Sequence, residues 1–259
     1  MKISLIMLTI DRAEMTMRVT DENLRRIGVP YELIVIDNGS TDPALKEWIK
    51  ERAHIYRFNA QNEGVARMQN WGMFQSGAYF ISLLGNDIEM PHDWGKKMVH
   101  AHKRLAGLGS VGIDCLGFTN GKEITERAGI RFYHMDNAFG TVVFSRLLTR
   151  QLGFLCNRFH PYGLEDSDWH HRTRQAGYFH AMLADETSIH VGHDVKEQSV
   201  YRAMKWESLH KLGDADILGQ QIAQSEKSGV HLPINNYLTP DEALRIMAVN
   251  PIRGAGIHP

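Results

Sequence analysis

Over residues 1–90 short apolar runs alternate with stretches of helical periodicity. Residues 3–10 form an apolar run that predicts a first strand, and Glu14 to Ile27 repeat apolar positions at helical spacing. Leu33-Ile34-Val35-Ile36, bounded by Glu32 and Asp37, predicts a second strand. Asp42 followed by Pro43 predicts an N-cap and first helical position. His54 to Phe58 predicts a third strand, Val65 to Ser76 a helix, and Tyr79 to Leu84 a fourth strand. Continuous apolar strands separated by helices imply a mostly parallel sheet covered on both faces, a three-layer α/β/α domain. Such sheets bind ligands beyond the carboxyl ends of their strands. Four polar groups follow predicted strands: Thr9 to Arg12, Asp37 to Asp42, Asn59 to Gly64, and Gly85-Asn86-Asp87. They are expected to converge on one site.

Beyond Trp94 the pattern predicts a helix over 94–106, strands at 110–113 and 141–144, and a mixed-charge helix from Glu165 to Gly177. Thr187-Ser188-Ile189 is strand-like. Further helices are expected near 197–212, 214–227 and 240–249. Pro233, Pro240 and Pro251 mark the end of the chain as an extension. The expected organisation is a domain over 1–212 and a short C-terminal helical extension over 213–259.

Composition changes this picture little. The 259 residues are 43% hydrophobic and 23% charged, which suits one sizeable α/β domain. Lys and Arg number 29 against 30 Asp and Glu, so no global positive charge is present to hold a polyanion. Cys115 and Cys156 are far apart and outside any CxxC arrangement, which favours two free thiols in a reducing compartment. The apolar start ends at Asp11-Arg12, too early for a signal segment, and no run approaches the roughly 18 residues of a membrane span. A cytoplasmic protein is expected.

Candidate chemistry lies in the polar groups. Asp37, opening Asp37-Asn38-Gly39-Ser40-Thr41-Asp42, can accept hydrogen bonds from a base or a ribose, although Asn-Gly and Asp-Pro also simply form turns. Asp87 in Gly85-Asn86-Asp87-Ile88-Glu89 presents an oxygen suited to a hard divalent cation. Glu165, Asp166 and Asp168 sit at a predicted helix start, where the dipole favours acids and where a general base could face a cleft. His190 and His193 are candidate imidazole ligands among 14 histidines. Trp169, Tyr162, Phe159 and His160 could stack on a sugar or base, or could serve packing alone.

In order and spacing these pieces resemble the family 2-type glycosyltransferases of the GT-A (Rossmann-like) fold, over residues 2–212. The resemblance is carried by Leu5 to Arg12, Ile34 to Asp42, Asn62-Glu63-Gly64-Val65-Ala66 through Asn70-Trp71-Gly72, and Leu83 to Trp94. Gly163-Leu164-Glu165-Asp166-Ser167-Asp168-Trp169 through Tyr178 completes it. It implies a donor site of Thr9, Asp11, Arg12, Asp37, Asn38, Gly64, Arg67, Asn86 and Asp87. It also implies Mn2+ or Mg2+ held by Asp87 and His190, in preference to His193. Asp166 would be the catalytic base, with Glu165, Asp168, Trp169, Glu89 and His193 near the acceptor. Gly85 stands where the family's DxD motif has its first Asp, as in rhamnosyl- and galactofuranosyl-transferase-like members. Gln69 replaces an arginine that many members carry.

The resemblance implies single displacement with inversion, from a nucleotide-diphosphate sugar to an acceptor hydroxyl. A saccharide is the default acceptor, and a hydroxymethylated nucleobase in DNA is the other class kept open. Two alternatives differ in kind. A sugar nucleotidyltransferase would need a Gly-rich phosphate loop near the first strand, and none is found there. A non-catalytic sugar-nucleotide or glycan-binding relative would explain the reduced DxD motif, but not the retention of Asp87, Asp166 and His190.

Overall fold

In the computed structural model, which describes residues 2–138, 140–157, 163, 165–192 and 252–253, the expected strand–helix alternation builds the first half of one large sheet. Its elements are β1 (Ile3–Thr9), α1 (Ala13–Arg26), β2 (Tyr31–Asp37), α2 (Pro43–Arg52), β3 (Ile55–Phe58), α3 (Val65–Gln75) and β4 (Phe80–Leu84). Asp42 caps α2 as expected, its side chain accepting from Ala44 N at 2.8 Å, with Pro43 following. Strands β3, β2, β1 and β4 run parallel in that order.

Next come β5 (Ile88–Glu89), α4 (Trp94–Arg104), β6 (Leu108–Gly112), β7 (Ile124–Arg127), β8 (Ile130–Met135), β9 (Val142–Ser145), α5 (Arg146–Leu152), α6 (Glu165–Gln175), β10 (Phe179–Leu183), β11 (Ile189–His190) and β12 (Ile252–Arg253). Beyond β4 the sheet is mixed. Antiparallel β9 lies between β4 and β6, β10 runs parallel to β6, and the β7–β8 hairpin closes that side. The β12 strand pairs antiparallel with β3 at the opposite edge. The expected helices at 197–212, 214–227 and 240–249, and the boundary at 212, lie outside the described residues.

Strand pleating sorts side chains between two cores. Ile3, Leu5, Met7, Leu33 and Val35 pack on one face with Leu24, Leu45, Trp48, Trp94 and Met98 from α1, α2 and α4. Ile6, Ile34 and Ile36 pack on the other with Met68, Trp71, Leu148 and Trp169 from α3, α5 and α6. Both faces are covered, which explains why these strands read as unbroken apolar runs. Gly72 lets α3 lie close to the sheet, since a Cβ there would stand 2.5 Å from Ile6 Cγ2.

Candidate active site

The four polar groups meet at the carboxyl ends of the parallel strands. Asp11 and Arg12, after β1, both adopt left-handed backbone conformations, with φ of 51° and 54°. That conformation costs a non-glycine residue roughly 1–2 kcal/mol, and it turns the chain sharply from strand into helix. Ser40 Oγ accepts from Asp11 N at 2.8 Å, and Thr41 N donates to Asp11 Oδ1 at 3.3 Å, tying the first loop to the second. Asn38 joins the second loop to the third. Its Oδ1 accepts from Asn59 Nδ2 and Glu63 N, each at 2.9 Å, and its Nδ2 donates to Asn62 Oδ1 at 2.6 Å. Asn62 Oδ1 also accepts from Gly64 N at 2.9 Å, and the positive φ of Gly64 (84°) starts α3 there. Asn86 brings in the fourth loop, its Nδ2 donating to Thr16 Oγ1 at 3.0 Å and to Thr9 Oγ1 at 3.3 Å.

Asp37 ends β2 with no solvent exposure. Its Oδ1 accepts from Ser40 N at 2.9 Å, while Oδ2 is buried without a hydrogen-bond partner. Burial, opposed by the bonds from Ser40, raises its carboxyl above the usual range. A buried carboxylate oxygen left unsatisfied at a strand end is costly unless a ligand donor reaches it.

Asp87 stands at the centre of the second half of the site. The β5–β11 ladder pairs Ile88 with His190 and sets His190 Nε2 3.9 Å from Asp87 Oδ2. Val191 N donates to Asp87 O at 3.0 Å. Arg12 Nη1 lies 3.7 Å from the same Oδ2, and its Nη2 donates to Gly192 O at 3.2 Å. Asp87 would offer a divalent cation a carboxylate oxygen and His190 an imidazole nitrogen, and substrate phosphates or water would have to complete such a site. Among the described residues no cluster of three or more His, Cys, Asp or Glu could hold a metal unaided.

The segment flanking residue 139 links Asp87 to α6. Gly85 N donates to Thr141 Oγ1 at 3.1 Å, Asn137 Nδ2 to Ser167 Oγ at 3.4 Å, and Ala138 N to His170 Nε2 at 3.3 Å. In the first turn of α6, Asp166 Oδ1 accepts from Ser167 N at 2.7 Å, and Glu165 Oε2 accepts from Gly163 N at 2.8 Å. Burial raises both carboxyls. That of Glu165 reaches about 7, with the Asp166 charge adding to the effect of burial. Beneath them lie two buried imidazoles. His170 Nδ1 donates to Asp166 O at 2.6 Å, His180 Nε2 to His170 O at 3.1 Å, and Ser110 Oγ to His180 Nδ1 at 2.8 Å, in the tautomers this network requires. Burial keeps both rings neutral, with His170 lowered to about 4 and His180 to about 2.

Other expected site residues are engaged within the protein. Asp168 is buried against Arg172, accepting at 2.9 and 3.0 Å, and Arg172 also donates to Phe154 O at 2.7 Å. Trp169 packs on Phe144 in the core. Glu89 pairs with Arg18 of α1, and Arg67 with Glu63 at 2.8 Å. His193, Phe159, His160 and Tyr162 lie outside the described residues. Sequence reasoning passed over Ser110, Asn137, Thr141 and the His170–His180 pair. Their only signal was unusual polarity in or beside apolar segments.

Comparison with known proteins places this geometry. The profile of glycosyl transferase family 2 matches residues 4–155. Among solved structures, the mannosyltransferase PcManGT from Pyrobaculum calidifontis, in complex with GDP-Man and Mn2+, superposes with a TM-score of 0.61 at 17% identity, over 94% of this chain and 68% of that one. GalNAc-T7 with UDP, GalNAc and Mn2+ gives 0.59 at 15% identity over 73% of this chain, and S. aureus TarS 1-349 gives 0.53 at 16% over 73%. The chain spans 43% and 59% of those two proteins. No curated protein sequence matches. At such identities the likeness establishes the fold, which is the GT-A arrangement expected from the sequence.

Proposed function

The chain belongs to glycosyl transferase family 2 and is a glycosyltransferase, and from that premise we propose a metal-dependent, inverting transfer from a nucleotide-diphosphate sugar to an acceptor hydroxyl. The observation that carries this reading is the pairing of Asp87 with His190. Two residues distant in sequence bring a carboxylate and an imidazole within 3.9 Å beside the loops that end β1 and β2.

Asp37 Oδ2 would accept from the nucleobase or ribose, which supplies the partner that this buried oxygen lacks. Asp11 and Asn38 hold the surrounding loops in register. A divalent cation held by Asp87 and His190 would neutralise charge on the departing diphosphate. Asp166, whose elevated carboxyl pKa makes it a better proton acceptor once ionised, would take the acceptor's proton at a carboxylate oxygen. Attack from the face opposite the nucleotide gives inversion. PcManGT and GalNAc-T7 bind nucleotide or nucleotide sugar with Mn2+, which supports the same donor class and metal here. The single carboxylate of Gly85-Asn86-Asp87 supports a rhamnosyl- or galactofuranosyl-transferase-like subtype. A saccharide is the acceptor proposed, with modified DNA the second class. Among the described residues no helix is long and apolar enough to cross a membrane.

The test is a thermal-shift screen of UDP-, GDP- and dTDP-sugars with and without Mn2+ or Mg2+. One donor should raise the melting temperature only with metal. Silence from every compound would sink the reading.

A further inference from the structure

We propose that Arg12 occupies the cation position at Asp87 when the donor is absent, so that metal binding depends on diphosphate arriving to draw Arg12 away. The inference rests on the reading of Asp87 and His190 as metal ligands. It adds a role for Arg12 that lining a base pocket does not describe.

Three observations carry it. Arg12 Nη1 and His190 Nε2 approach the same oxygen, Asp87 Oδ2, at 3.7 and 3.9 Å. A cation coordinated at that oxygen would therefore lie within a few ångströms of the guanidinium, and like charges at that range repel strongly in a partly desolvated site. The side chains of Arg12 and Asp87 are only 19% and 18% exposed, so solvent screens them weakly. Finally, the guanidinium is aimed by structure on both sides. Asp87 Oδ2 lies 3.7 Å from Nη1, and Gly192 O accepts from Nη2 at 3.2 Å.

Arg12 is thus a fork held in place by a carboxylate and a carbonyl. A diphosphate offers it bidentate, charge-assisted bonds stronger than these. Its transfer to phosphate would free Asp87 Oδ2 for the metal, so donor and metal would each strengthen the other's binding by the same factor.

The experiment measures Mn2+ binding to the nucleotide-free protein by electron paramagnetic resonance of the free ion. Arg12→Asn keeps a residue tolerant of the left-handed conformation, and Arg12→Gln provides a second variant should the first fold poorly. Both should bind Mn2+ about tenfold more tightly than the natural protein, within the usual range of coupling between linked sites. Arg12→Lys, which keeps the charge, should retain the weak binding. If Arg12 merely props the β11 end of the site, its removal would weaken Mn2+ binding or leave it unchanged, and either result overturns the proposal. Asp87→Asn separates the two levels of inference. Loss of Mn2+ binding in that variant, with no gain in Arg12→Asn, would overturn the role of Arg12 and leave the metal site standing. Undiminished Mn2+ binding in Asp87→Asn would remove both.

Discussion

Asp87 fits against Gly192 only because that residue has no side chain: a Cβ there would stand 2.3 Å from Asp87 Oδ2 and 2.8 Å from its Cγ. The carboxylate and the chain leaving β11 share one space. Gly192→Ala should therefore swing Asp87 out of its place beside His190. The added Cβ would also stand 2.7 Å from Asp87 Cβ, which no side-chain rotation moves, so the two backbones must part as well. The fold should survive at a cost of about 1–3 kcal/mol, as for other overpacked positions. Thermal unfolding of the variant with and without Mn2+ and nucleotide should show a modest drop in stability and no metal-dependent gain.

Asp166→Asn should abolish transfer while leaving metal-dependent donor stabilisation near that of the natural protein. Near-normal transfer would remove Asp166 from the role of base. The substitution has a second readout. The Asp166 charge is the second cause, after burial, that raises Glu165 to about 7. Neutralising residue 166 should lower the Glu165 titration midpoint, measurable by carbon-13 NMR of its carboxyl group.

Stability should respond to pH with two opposing signs. His102, His170 and His180 are buried neutral, lowered from 6.5 to about 4, 4 and 2. The unfolded chain binds protons at these sites first, so their contribution is complete above pH 6.5 and is lost as pH falls below it. Glu165 is raised from 4.5 to about 7. Its folded form holds the extra proton, so its contribution is complete below pH 4.5 and is lost as pH rises to about 7. Between pH 4.5 and 6.5 three histidines oppose the acid pair, and melting temperature should fall on acidification. Glu165→Gln should steepen that fall. A melting temperature that rises on acidification from pH 6.5 to 5 would contradict the burial of the three rings as neutral groups.

Much of the first half of the fold was legible because its residues obey local rules. Strands buried on both faces read as apolar runs, Asp42-Pro43 announces a helix start, and polar loops mark the strand ends. β7, β8 and β10 were not predicted. β7 lies at a sheet edge with mostly exposed residues, and β8 and β10 mix histidines with apolar side chains. His180 is buried there by its hydrogen bonds to Ser110 and His170, which no periodicity announces. The family resemblance implies Asp168 near the acceptor, whereas an acid at a helix start also has a purely structural reason. The engagement of Asp168 with Arg172 depends on one helical turn packed against the end of α5.

By itself the sequence determined the α/β layering, the four converging loops and the family, because hydrophobic period, turn chemistry and motif order are local properties of the chain. Only the tertiary structure decided that the sheet turns mixed after β4, that His190 is brought to Asp87 by a two-residue ladder, and that Arg12 reaches the same carboxylate oxygen. Those relations join residues far apart along the chain, and distances of that kind are set by packing and strand pairing.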